Sequence, residues 1–169
     1  MNNKKILQVK NLKVTYKSLL EEVEAVAGVN IDLYAGEALA IVGESGSGKS
    51  TVAYALMGLH NRKHVTVEGE VMYNGRNILE NSTSQWQDLR GKEFSMIFQN
   101  PMSSLTPYLT IGKQVMEPIL RHTLKSTDEA RKEAVSLLKE VEIGDTEKSY
   151  HSYPHQFSGG MKQRVMIAS

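Results

Sequence analysis

Two rhythms of apolar and polar positions divide this chain. Across residues 6–16 the apolar Leu7, Val9, Leu12, Val14 and Tyr16 alternate with polar neighbours in two phases, and Val29, Ile31 and Leu33 alternate again before Ala35-Gly36. A period of two predicts strands covered on one face. The stretch from Val65 to Gly75 adds another pair of strand signals, closed by the Asn74-Gly75 turn, so an antiparallel sheet is expected. Between these signals Ala38-Leu39-Ala40-Ile41-Val42 is unbroken apolar sequence, predicting a strand covered on both faces, and residues 52–59 continue as a helix. Phe94-Ser95-Met96-Ile97-Phe98 predicts a second core strand of the same kind.

The rhythm then changes to a helical one. Ile111, Val115, Met116, Ile119 and Leu120 recur at helical spacing, with Pro118 expected to kink or end that helix. In the next helix Ser126 caps the start with Glu129 three residues on, Ala130, Ala134, Leu137, Leu138 and Val141 form one apolar stripe, and Gly144 terminates it. Such a stripe is packing surface. Residues 150–156 read as loop, and the apolar residues after Gly160 suit a last helix.

Chemistry concentrates in Gly43-Glu44-Ser45-Gly46-Ser47-Gly48-Lys49-Ser50-Thr51, which fits G-x-x-x-x-G-K-[ST]. Glycines let the backbone bend and bring successive N–H groups close to a polyphosphate. Lys49 reaches the β/γ-phosphates, Ser50 offers a hydroxyl to Mg²⁺, and the helix beginning here turns its positive end toward the anion. The alternative is a plain glycine-rich turn with a solvated lysine; the apolar run before it and the helix after it argue for the phosphate loop.

Composition narrows the setting. The chain has 169 residues, enough for one ordinary domain or part of a larger one, with 40% hydrophobic and 23% charged residues. Twenty basic against 19 acidic residues leave a net charge of +1, so no field recruits nucleic acid or anionic membrane. Without cysteine there is no disulfide or thiolate chemistry. No apolar stretch is long enough to span a bilayer, and the N-terminus does not read as a signal peptide. His60 and His64, like His151 and His155, are four apart, but Gly58 and Asn61 suggest that the helix has already ended at the first pair, and Pro154 interrupts the second. They are read as surface or loop histidines rather than metal ligands.

With the phosphate loop and Phe157-Ser158-Gly159-Gly160-Met161-Lys162-Gln163-Arg164 both in view, the chain resembles the ATP-binding subunit of an ATP-binding-cassette transporter. Ser158, Gly159 and Gly160 look like the signature sequence, with Met161 where many members have Gln. The resemblance implies that this second anion site faces, in trans, the γ-phosphate held by another subunit. Gln99 resembles the glutamine that touches Mg²⁺ and the attacking water, and Tyr16 the aromatic residue that stacks on adenine. Gln99-Asn100-Pro101-Met102-Ser103-Ser104-Leu105-Thr106-Pro107 with Ile111-Gly112 looks like the oligopeptide, dipeptide and nickel importers of bacteria.

The resemblance implies an α/β phosphate-loop NTPase core with an antiparallel β-subdomain and a helical subdomain, divided as residues 1–98 and 99–169. The implied activity is ATP hydrolysis with Mg²⁺, using Lys49, Gln99 and Ser158. The implied partners are a second ATPase, two membrane permeases and, indirectly, an extracytoplasmic binding protein, at the cytoplasmic face of the membrane. An apolar strand ending in Asp-Glu comes after the signature helix in that family and is not in these 169 residues, nor is the later switch histidine. The sequence is therefore expected to be truncated and inactive alone, and the competing reading is a non-catalytic nucleotide-binding fragment. A third reading, a soluble family member acting on nucleic acid or ribosomes, is disfavoured by the charge balance. The sequence does not specify whether the cargo is peptide or nickel, or whether the two ATPases are like or unlike.

Overall fold

The computed structural model describes residues 4–18, 20–98 and 104–169, which fall into two compact units, Met1–Gln87 and Asp88–Ser169.

The first unit is built on a four-stranded antiparallel sheet of order β2-β1-β3-β4. Its strands are β1 (Lys5–Lys17), β2 (Glu22–Tyr34), β3 (Val65–Tyr73) and the short β4 (Arg76–Asn77). Leu7 and Val9 of β1 are buried, and so are Leu12 and Val14, so the side facing the core changes phase between them. The cause is a bulge: both ladders of β1 slip at this point, and Asn11 adopts φ 47°. Neighbouring strands accommodate it with glycine. A Cβ on Gly69 would lie 2.5 Å from the Asn11 carbonyl oxygen. The β3–β4 turn is the expected Asn74-Gly75, with φ of 48° and 77°.

Helix α1 (Lys49–Leu56) packs on β1 and β2 through Val52 and Ala55, and helix α2 (Thr83–Leu89) buries Trp86. The sequence pattern did not announce α2, which is only two turns long. Trp86 lies over Gly58, where a Cβ would come within 2.3 Å of the indole.

Two expectations are corrected. Residues 38–42 and 94–98 do not form strands; the second run carries one isolated parallel bridge, between Arg90 and Phe94. A strand is held by a hydrogen-bonded neighbour along its length, and among the described residues none runs beside 38–42. Leu39, Ile41 and Val42 are exposed, Val42 to 90%. Instead of sheet neighbours, Ile41 and Val42 face a cavity of about 460 Å³ shared with Val29 and Ile31 of β2.

The second unit is helical: α3 (Ile111–His122), α4 (Thr127–Glu140), α5 (Thr146–His151) and α6 (Gly159–Ala168). Ile111, Val115, Ala130, Ala134, Leu138, Ile143, Phe157 and Val165 make one core. Gly112 has a packing reason, since a Cβ there would stand 2.3 Å from the Tyr150 ring. The Ser126–Glu129 capping box forms as expected. Pro118 does not end α3, which runs on to His122. Gly144 does not end α4 either. The helix ends at Glu140 with Val141 as its C-cap, and Glu142 takes the left-handed conformation (φ 57°) that glycine usually provides. Residues 150–156 are not plain loop: α5 reaches His151, and Pro154–Gln156 form a 3-10 turn.

Candidate functional site

In the first unit the phosphate loop wraps the head of α1. Gly46 and Gly48 have φ of 83° and 86°, which L side chains adopt only with strain, and this lets the chain reverse into the helix. Gly48, the N-cap of α1, also packs closely on β2: a Cβ there would meet the Ala25 carbonyl oxygen at 2.5 Å. Lys49 folds back over the loop. Its Nζ donates to the carbonyl oxygens of Gly43 (2.9 Å) and Glu44 (2.5 Å) and to Ser47 Oγ (3.2 Å).

No side chain caps α1, and among the described residues its first-turn N–H groups up to Thr51 have no backbone acceptor. Unsatisfied donors at a helix start, with a lysine beside them, make an anion site. Ser50 lies in that first turn. A hydroxyl oxygen suits Mg²⁺, which takes few protein ligands and keeps its place through phosphate oxygens. Among the described residues no group of three or more His, Cys, Asp or Glu could hold a metal by itself.

Tyr16, near the end of β1, reaches this helix. Its hydroxyl is 3.4 Å from Thr51 Oγ1, and the side chain remains 37% exposed. The structure thus brings Tyr16 to the loop that spans residues 43–51. His60, read from sequence as a surface or loop residue, is half-buried here, with Nε2 3.0 Å from the Thr51 carbonyl oxygen. No sequence signal marked it, because its partners come from β1 and α1. His64 is exposed.

In the second unit Ser158 is the N-cap of α6, its Oγ accepting from Met161 N–H at 3.3 Å. Nothing lies within 4 Å of where a Cβ would stand on Gly159 or Gly160. Packing inside the unit therefore does not demand glycine there, and the bare backbone is open to approach from outside. Farther along α6, Arg164 Nη1 donates to the Glu142 carbonyl oxygen (3.1 Å) and carboxylate (3.2 Å) just past α4. Gln99 lies outside the described residues.

A glycine loop with a lysine at the head of a helix is an arrangement able to hold a polyphosphate. The ABC transporter family model matches residues 26–169, and the chain belongs to that family. It is 48% identical over 169 residues to the dipeptide transport ATP-binding protein DppD of Lactococcus lactis, covering 99% of this chain and 48% of that protein. It is 46% identical over 165 residues to the oligopeptide transport ATP-binding protein OppD of Bacillus subtilis, covering 97% of this chain and 46% of that protein. The chain thus spans about half the length of the curated relatives it matches. Among solved structures, the dimeric MJ0796, a bacterial ABC transporter cassette, aligns with a TM-score of 0.82 at 33% identity, over 96% of this chain and 68% of that one. A post-hydrolysis dimer of MJ0796 bound to ADP and Pi aligns with a TM-score of 0.80 at 32% identity, with the same coverage. These alignments bear out the α/β ATPase fold expected from the sequence.

Proposed function

We propose that this chain is the nucleotide-binding part of the ATP-binding subunit of a peptide importer, in which ATP binding and hydrolysis drive uptake. The observation that carries the reading is the cradle at the head of α1, where Lys49 Nζ sits among three loop oxygens beside uncapped helix N–H groups. On this reading Lys49 exchanges those oxygens for phosphate oxygens of ATP, and residues 43–51 wrap the polyphosphate. The Ser50 hydroxyl, with Gln99, would hold Mg²⁺, which when bound neutralises charge on the phosphates. Tyr16 would stack on adenine. Ser158, with the N–H groups of Gly159 and Gly160, would serve the γ-phosphate of a second ATPase subunit, adding preorganised donors where charge develops.

The domain division that goes with this is a nucleotide core over residues 1–98 and a signature-bearing helical part over 99–169. Peptide as cargo is supported by the names of the relatives, with nickel as the other cargo class that the resemblance leaves open. The partners would be the second ATPase, two membrane permeases and, through them, an extracytoplasmic binding protein, with the chain at the cytoplasmic face. No helix among the described residues is long and apolar enough to cross a membrane, so attachment would be through the permeases. Hydrolysis is assigned to a protein of the relatives' length, whereas the 169 residues alone would bind nucleotide without turnover.

Calorimetry with Mg-ATP tests the cradle. Each charge-assisted hydrogen bond is worth about 1.5–3 kcal/mol, so Lys49→Ala should weaken binding by at least about tenfold. Unchanged affinity would overturn the assignment.

A further inference from the structure

His60 belongs to none of the motifs, yet it touches two residues of the proposed nucleotide site. Its Nε2 is 3.0 Å from the Thr51 carbonyl oxygen. A carbonyl only accepts, so Nε2 carries the proton and donates. Thr51 is held from its other end by Tyr16, whose hydroxyl is 3.4 Å from Thr51 Oγ1. The imidazole then closes the triangle: it stands edge-on to the Tyr16 ring, with centroids 5.8 Å apart and planes at 85°. It also meets the Tyr54 ring of α1 edge-on at 6.1 Å. Close by, Lys17 N–H donates to the His64 carbonyl oxygen at 2.8 Å, tying the segment that carries His60 to β1 beside Tyr16.

We propose that His60 is a positioning residue for the nucleotide base: by donating to Thr51 and standing edge-on to Tyr16, it fixes the Tyr16 ring as a platform and joins that platform to the phosphate loop. The proposal rests on the reading of Tyr16 as the adenine contact. A tyrosine ring anchored only by one long hydroxyl contact keeps rotational freedom that stacking must remove. A second ring packed against it removes that freedom beforehand, and less ordering entropy is then lost on binding. A metal role for His60 lacks companions, since among the described residues no cluster of ligating side chains surrounds it.

The consequence is selective. ATP and inorganic tripolyphosphate share the phosphate loop, but only ATP uses the platform. Calorimetry on the whole chain would compare Mg-ATP with Mg-tripolyphosphate for the wild type, Tyr16→Ala, His60→Ala and His60→Gln. The Gln variant keeps a donor for Thr51 without the ring, which guards against a folding defect in His60→Ala. An aromatic pair contact predicts about two- to tenfold weaker ATP binding in both His60 variants, with tripolyphosphate changed by less than about twofold. In a Tyr16→Ala background, His60→Ala should add little further loss. Equal losses for the two ligands would mean that His60 supports the loop rather than the base, and would overturn the proposal. An ATP-selective loss in Tyr16→Ala but in neither His60 variant would overturn it while leaving the Tyr16 reading intact. No selective loss in Tyr16→Ala would overturn that reading and the proposal together.

Discussion

Replacing Gly48 and Gly46 by alanine, one at a time, separates a backbone cost that both positions share from a packing cost that only one of them carries. The two residues have nearly the same positive φ, 86° and 83°. Holding an L-residue in that region costs about 1–2 kcal/mol, and both variants incur it. Their surroundings differ. A Cβ at 46 meets nothing within 4 Å, whereas at 48 it lies 2.5 Å from the Ala25 carbonyl oxygen and 3.4 Å from Val26 Cγ2. That oxygen belongs to β2 at a register shift, where Ala25 is the extra residue between Glu24 opposite Thr15 and Val26 opposite Val14. Making room for a Cβ there means displacing backbone between two paired positions, an overpacking penalty of about 1–3 kcal/mol. Gly46→Ala should thus lose about 1–2 kcal/mol, and Gly48→Ala about 2–5 kcal/mol by adding the two terms. The chain has a single tryptophan, Trp86, which is 3% exposed and lies in the same unit as the loop. Urea unfolding followed by its fluorescence reads that unit directly. In a thermal melt the two variants should differ by at least about 4 °C for a unit of this size. Equal losses would refute the claim that the loop is pressed against β2.

Two further outcomes concern the helical unit. The Ser126 hydroxyl, then its backbone N–H, holds the Glu129 carboxyl below its ordinary range. A lowered folded value means that this stabilisation is present above the ordinary glutamate range and is lost as pH falls through the folded value. Ser126→Ala should therefore reduce the acid-dependent part of helix loss in circular dichroism below about pH 5, and an unchanged acid profile would count against the capping box. Leu138, fully buried in the core, should cost about 2–5 kcal/mol when replaced by alanine, read by denaturation monitored through helical circular dichroism; a loss under about 1 kcal/mol would mean that the α4 stripe is not the packing centre.

The features legible in the sequence were local. The phosphate loop, the Asn74-Gly75 turn and the Ser126–Glu129 box are each specified by a few adjacent residues whose own torsions or side chains do the work. The two phases of β1 were visible as well, although only the structure shows that Asn11 makes the change of phase through a bulge. Expectations failed where the outcome depends on partners distant in sequence. Residues 38–42 have strand-like composition, but composition does not provide a hydrogen-bonded neighbour. The left-handed residue that follows α4 is Glu142 rather than Gly144, and it has a distant partner: Arg164, 22 residues on, donates to the Glu142 carbonyl oxygen and side chain. His60 was passed over because its meaning lies in Tyr16 and Thr51, which no spacing rule connects to it.

The same Arg164 contact lies where α4 and α6 meet. It grips α4 just beyond its last turn from the middle of α6, while Val165 and Leu138 are both fully buried in the core that the two helices share. The two helices thus share buried core and are joined at one edge by an exposed polar contact, so the core rather than the ion pair couples them. Ser158 caps the start of α6, next to Phe157, which is buried in the same core. Displacing α4 is therefore expected to carry α6, and Ser158 at its N-terminus, through the core the two helices share.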